Sequence, residues 1–405
     1  MSLSPAEAAA FASTRRPVSP LLAIFLIVAV DVLGMTLILP LLPFYTERMG
    51  ASPTVVGMLV SIYALCQLVA GPYLGRLSDR VGRRPVLLIS QIGTFIGFIV
   101  LAMANQVWLV FLSRMIDGAT AGNLTIAQAY ISDVTTPENR AKAFALIGIA
   151  FGFGFMVGPG ISGYLATFNF IYPIIAAAVL SALSIVCTYF LLPRREPVHE
   201  ENDANPGPAG KRLPLLDWKG YAKYFAEAPM RRLLIQWFLF AFSFSSFVSV
   251  FALFAERRYF WHGHPFGVRE VGYLFAFSGL LGIIMQGGLV GRMVKWLGET
   301  KVVRLGFLTS AIAYAAIGFT YRIWDLLVVQ TFSSIGGAGL RPALTSVITQ
   351  KAERRETGVV IGLTQSLTSI AQITAPVIAG KLIELHQLTL WAIVSGVVAF
   401  AALFL

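Results

Sequence analysis

Apolar residues along this chain gather into blocks of roughly 20, the length that crosses ~30 Å of hydrocarbon as a helix. The short stretches between blocks hold most of the charge. The pattern predicts an all-α membrane protein with 12 transmembrane helices, at about 20–43, 54–74, 86–104, 107–132, 142–166, 170–192, 231–254, 270–290, 302–320, 324–349, 358–382 and 386–405. One long polar segment, Arg194 to Met230, separates the sixth span from the seventh. It contains Glu200-Glu201-Asn202-Asp203, Asn205-Pro206-Gly207-Pro208 and Lys211-Arg212. This is the composition of a linker, with an interfacial helix expected around Trp218 to Ala228. The expected organisation is a cytoplasmic segment 1–19, a six-helix bundle 20–193, a cytoplasmic linker 194–230 and a second six-helix bundle 231–405.

The two halves repeat. Gly75-Arg76-Leu77-Ser78-Asp79-Arg80-Val81-Gly82-Arg83-Arg84 joins the second and third spans, and Gly291-Arg292-Met293-Val294-Lys295-Trp296-Leu297-Gly298-Glu299 stands at the corresponding place in the second half. Lys295 takes the position that Asp79 holds in the first turn. Glu138-Asn139-Arg140 matches Glu353-Arg354-Arg355, and Gly158-Pro159 with Gly163 matches Ala375-Pro376 with Gly380. Parallel six-span repeats place a central cavity at their interface, near the bilayer midplane.

Composition agrees with this picture: of 405 residues, 57% are hydrophobic and 13% charged. A net charge of +11 raises nucleic acid as a partner, but the basic residues sit in short loops and form no basic face. Their distribution follows the positive-inside rule if both termini are cytoplasmic, as in a bacterial inner membrane protein. Arg15, Arg16, Arg76, Arg80, Arg83, Arg84, Lys295, Lys351 and the basic residues of the linker then lie inside, while Arg48, Arg257, Arg258, Arg269 and Arg322 lie outside. Cys66 and Cys187 read as small packing residues. His262 and His264 lack companions at metal-ligand spacing, no phosphate-binding loop is present, and no catalytic constellation lines up at one depth. Neither an enzyme nor a cofactor is expected.

The motifs resemble the major facilitator superfamily, and within it the twelve-span drug/proton antiporters. The resemblance rests on Gly75-x-Leu77-Ser78-Asp79-x-x-Gly82-Arg83-Arg84, on Gly148-x-x-x-Gly152-x-Gly154-x-x-x-Gly158-Pro159-x-x-x-Gly163, and on Asp31-Val32-Leu33-Gly34 with Pro40 and Pro43. The wording is most similar to the tetracycline/proton antiporter branch. It implies that Asp79 docks across the inner interface against the eleventh helix and holds the outward-facing state. Gly75, Gly82, Arg83, Arg84 and Asp133 belong to the same latch. Where that branch carries intramembrane acids and a histidine, this chain has Gly97, Gly282 and Ser310, so tetracycline itself is not the expected substrate.

Ionisable residues inside spans are expensive and mark function. Asp31 lies about 16 Å into the first span, Arg114 about 10 Å into the fourth, and Asp117 one turn deeper. A carboxylate that gains and loses a cationic partner during rocking takes up and releases a proton. The alternative for the pair is a permanent ion pair that only neutralises buried charge. Candidate cavity residues are Gln67, Asn123, Gln128, Gln286, Ser310, Tyr314 and Gln365, each of which also reads as a helix–helix hydrogen bond. Phe244, Phe247 and Phe251 read either as an aromatic wall or as core packing. The expectation is a monomeric, proton-coupled exporter of small amphipathic molecules in a lipid bilayer. Uptake by the same fold, or a receptor that moves nothing, are the rival readings.

Overall fold

The apolar blocks become helices in the computed structural model, which describes residues 20–135, 137–192, 218–352 and 357–405. The segment 1–19, most of the linker (193–217) and the Glu353-Arg354-Arg355 match lie outside the described residues, as do the side chains of Glu138-Asn139-Arg140. The helices are α1 Pro20–Ile38, α2 Leu41–Glu47, α3 Pro53–Val81, α4 Arg83–Ala102, α5 Val107–Ala119, α6 Asn123–Val134, α7 Pro137–Ala166 and α8 Ile171–Leu191. They continue as α9 Trp218–Ala226, α10 Ala228–Arg258, α11 Val268–Ile284, α12 Val290–Leu297, α13 Glu299–Ile317, α14 Ile323–Lys351, α15 Thr357–Glu384 and α16 Leu388–Ala401. Residues 260–261 and 264–265 add a small hairpin between α10 and α11. The chain is an integral membrane protein.

Among the described residues, ten helical segments are long and apolar enough to cross a membrane, and Leu388–Phe404 is a shorter apolar helix. The fourth span is not continuous. It breaks between α5 and α6, where the small-residue run Gly118-Ala119-Thr120-Ala121-Gly122 folds into a turn with Gly122 N–H bonded to Thr120 C=O at 2.7 Å. The eighth span is α11 and α12 joined through a π-helical turn, Met285–Leu289, which contains Gln286. π-Turns are rare and recur at functional sites. α9 fills the place of the expected interfacial helix.

Contacts between the halves run along two seams, α3 with α15 and α7 with α11. Both seams are tight at one end only. A side chain added at Gly57 would meet the Pro376 carbonyl, and one at Gly380 the Pro53 carbonyl, whereas Gly71 and Gly75 farther along α3 face open space. Likewise Gly163 and Gly272 bring α7 and α11 backbones together, while Gly148 faces open space. The two seams touch at one end and part toward the end with the Arg83 turn.

Candidate functional site

Asp31 of α1 faces Ser184 of α8, Gln91 of α4 and Asn123 at the start of α6. Gln91 Nε2 donates to Ser184 Oγ at 2.7 Å. Asp31 Oδ2, Gln91 Oε1 and Asn123 Oδ1 are buried acceptors without a hydrogen-bond partner. Asp31 thus sits among neutral hydrogen-bonding side chains while its Oδ2 stays unpaired, a position at which a protonated carboxyl could donate.

Arg114 and Asp117 are both 7% exposed. Their ion pair, at 3.3 Å, lies within one turn of α5. Arg114 also donates to Ser113 Oγ, which bonds the Gly97 carbonyl. Gly97 is the close-approach point, its α-carbon facing the Asp117 side chain. Thr94 and Tyr63 complete the surroundings of Asp117. The charge that acts on Asp31 is Asp117, not Arg114. The three sequence candidates therefore share the N-terminal half, but the structure pairs Arg114 with Asp117 and leaves Asp31 among neutral groups.

The turn after α3 owes its shape to Gly82, whose φ of 97° suits glycine alone. Arg83 bridges Asp79, at 2.6 Å, to Asp133 at the end of α6, at 2.8 Å. It also donates to Ser78 Oγ, which bonds Gly75 C=O. Arg84 donates to the Tyr189 carbonyl and lies over the Tyr189 ring, tying the turn to the end of α8. The matching turn repeats the backbone, with Gly298 at φ 81°. There Glu299 takes the arginine's place and accepts from Ser346 Oγ and Gln350 Nε2 of α14.

The α7 glycines serve two interfaces. Gly154 and Gly158 face Val32 and Thr36 of α1, and Thr36 Oγ1 donates to Gly154 C=O at 2.9 Å. Gly152 and Gly163, with the Pro159 carbonyl, face α11.

At the closed end polar contacts cross between the halves. Arg257 of α10 binds Glu47 of α2 at 2.6 Å. Glu384, ending α15, accepts from Ser52 Oγ at 2.9 Å and from Thr54 N–H at the start of α3. The carboxylate there meets the positive end of the α3 dipole.

Of the cavity candidates, Gln128, Gln286 and Gln365 are exposed. Gln67 is half-buried against Tyr63. Ser310 is buried beside Gly336 in the α13–α14 seam, and Tyr314 is buried in an aromatic stack. The stack joins Phe247 to Tyr314 at 4.8 Å and to Trp391 at 5.8 Å, with Phe251 5.5 Å from Phe275. Phe247 and Phe251 are thus core, and Phe244 is exposed. No metal-ligand cluster occurs among the described residues.

Sequence reasoning missed Gln91, Ser184 and Thr94, the clamps at Glu47 and Glu384, and Arg341. Arg341 sits deep in α14 among protein atoms yet is exposed.

A duplicated helical membrane protein, shut on one side, open on the other and holding buried charge between, has the architecture of a solute transporter. A family model of the Major Facilitator Superfamily matches residues 24–320 and 287–405, and the chain belongs to that superfamily of transporters. It is 30% identical to the class B tetracycline resistance protein of Escherichia coli, over 90% of this chain and 88% of that protein. It is 27% identical to multidrug resistance protein 2 of Bacillus subtilis, over 87% and 86%. Among solved structures it resembles the human organic anion transporter MFSD10 (TM-score 0.71, 23% identity, covering 95% of this chain and 98% of that one). It also resembles the nucleoside transporter NupG (TM-score 0.77, 14% identity, covering 95% and 98%).

Proposed function

We propose that this protein is a proton-coupled antiporter that exports small amphipathic molecules or drugs by alternating access. The observation that carries the reading is Asp31, half-way across the first span, a carboxyl set among the neutral Ser184, Gln91 and Asn123 with its buried Oδ2 unpaired. A proton on Asp31 removes a charge from the apolar span and favours one state; deprotonation restores the charge and favours the other. Only such a difference in binding between states moves the equilibrium. Arg114 and Asp117 hold the neighbouring charge balance. Relatives named for tetracycline and multidrug resistance support export.

In this reading the open side, with the Arg83 turn, is cytoplasmic in a bacterial inner membrane, and both termini lie there. The halves 20–193 and 231–405 rock as units in a functional monomer surrounded by lipid, with 194–230 as their tether. The state described is inward-facing. Closure of the cytoplasmic side brings Asp79 and its turn (Gly75, Gly82, Arg83, Arg84, Asp133) against α15, while the Glu47–Arg257 and Glu384 contacts part. The glycines of α7, with Pro159, provide the close seam about which α11 moves. Gln67, Asn123, Gln128, Gln286 and Gln365 offer polar contacts to the solute; Ser310 and Tyr314 support the cavity wall from behind.

The test is Asp31→Asn in proteoliposomes with an imposed proton gradient. Uphill transport is expected to fall to background while substrate counterflow without a gradient persists. Full proton-driven transport by the variant across the pH range rules the switch out. Net proton and substrate movement in the same direction would instead establish an uptake symporter.

A further inference from the structure

We infer that the transported solute carries an anionic head, a carboxylate, sulfonate or phosphate, and that Arg341 binds it. This deepens the transport reading and rests on it. Arg341 stands about 15 Å along α14 from its Lys351 end and about 27 Å from Ile323, within a helix long and apolar enough to cross the membrane. Among the described residues its side chain has no ion-pair or hydrogen-bond partner, and no acidic group lies near enough to act on it. The faces of α14 on either side of it are taken. Leu340 packs on Gly306 of α13, Leu344 belongs to the cluster with Trp237 and Leu363, and Ala338 to the cluster with Met285. Arg341 projects between the last two faces, and Gly337, one turn earlier on its side, has nothing within 4 Å of a would-be side chain. That direction, away from the packed faces, is where the inference places the solute.

An unpaired guanidinium inside a membrane is costly, and structure alone gives it no return here. Its planar fork matches a carboxylate or phosphate in two parallel hydrogen bonds. The neutral amides Gln286 and Gln365, exposed on the flanking helices, add donors without a competing negative charge. The acids of the protein interior, Asp31 and Asp117, are held in the other half.

The test uses the whole protein in phosphatidylcholine nanodiscs, with naphthalene-2-carboxylate and naphthalene-2-carboxamide as a matched pair. Wild type is expected to bind the carboxylate roughly tenfold or more tighter than the amide, the scale of a charge-assisted hydrogen bond. R341Q should lose that preference while keeping its affinity for the amide, and R341K should keep part of it. Equal binding of the pair by wild type overturns the inference, as does a preference that survives in R341Q. Adding phosphatidylglycerol distinguishes a lipid source of the anion. If that lipid abolishes the carboxylate preference, and is itself retained by wild type but not by R341Q, the site is a lipid site and the inference fails. The transport reading is checked separately, by proton-driven extrusion of ethidium and of the carboxylate from wild-type proteoliposomes. Flux of neither removes that reading, while the nanodisc affinities still decide whether Arg341 selects anions.

Discussion

The two halves of the molecule are built alike and charged differently. Laying Gly291 on Gly75 pairs Asp31 with Phe247, Arg114 with Gln330 and Asp117 with Ser333. In the first half these positions hold a buried ion pair and a carboxylate among neutral polar groups. In the second, Phe247 stacks on Tyr314 and Trp391, and Gln330 donates to Ser278 Oγ at 2.6 Å. The same helical frame therefore closes without charge at the same places. The second half is an internal control: charges at the places of Asp31, Arg114 and Asp117 are not needed to assemble such a bundle, which supports the coupling role proposed for them.

Making the first half copy the second tests this most severely. Arg114→Gln leaves Asp117 buried without its cation, which costs on the order of 3–5 kcal/mol for a broken buried pair. Adding Asp117→Ser reproduces Gln330 and Ser333 and should recover most of that loss. Thermal unfolding of the purified single and double variants gives both numbers. A single variant as stable as wild type, or a double variant no better than the single, breaks the comparison.

The converse substitution probes the aromatic half. Phe247→Ala removes a 4%-exposed ring from its stack and should lower stability by about 3–5 kcal/mol. Its proton-to-substrate ratio should stay that of wild type, because Phe247 holds no proton. An uncoupled but stable Phe247→Ala protein would mean that the coupling chemistry is shared between the halves.

How much of this was legible in the sequence depends on how local each signal is. A membrane span is read from one uninterrupted apolar run, so the helical blocks, the repeat and the two turns were visible. Gly82 and Gly298 adopt the positive φ that their places imply. The break in the fourth span was hidden because Gly118 to Gly122 reads equally as helix packing. Asp31 was visible as a lone acid in an apolar run. Its surroundings were not, since Gln91, Asn123 and Ser184 come from three other helices and only packing brings them together. Arg341 did have a local signal, an arginine well inside α14 and just before Pro342. Beside a charge pair and a signature turn that signal is faint, and the want of a partner is a tertiary fact.

The clamps at the closed end should matter less than the buried charges. Glu47→Gln weakens the Arg257 contact that joins the halves and should shift the balance of states by about 1–2 kcal/mol, roughly 5- to 30-fold. In a background lacking Cys66 and Cys187, labelling of a cysteine placed at Ser61 from the outer side should rise accordingly. Glu384→Gln should shift it less, because the partners at Ser52 and Thr54 are neutral. Unchanged labelling in both variants would assign the closed seam to α3–α15 and α7–α11 backbone packing alone.

The smallest effect is expected at the two matched turns, and there the halves differ in sign. Arg83 makes two ion pairs with partners whose side chains are about one-quarter exposed, at 26% and 25%. Pairs of this kind contribute about 0.2–1 kcal/mol each, so Arg83→Gln should cost roughly 1 kcal/mol. Among the described residues Glu299 accepts from neutral Ser346 and Gln350, and glutamine keeps an acceptor oxygen in its place. Glu299→Gln should cost no more than a few tenths of a kcal/mol. Salt separates the two further, because ~1 M salt shortens the screening length to about 3 Å. Under those conditions the Arg83→Gln deficit in thermal unfolding should shrink and the Glu299→Gln value should hold. Equal, salt-insensitive losses at both turns would show that Gly82 and Gly298 hold the turns by backbone geometry alone, with the charges idle in the state described and reserved for the closed one.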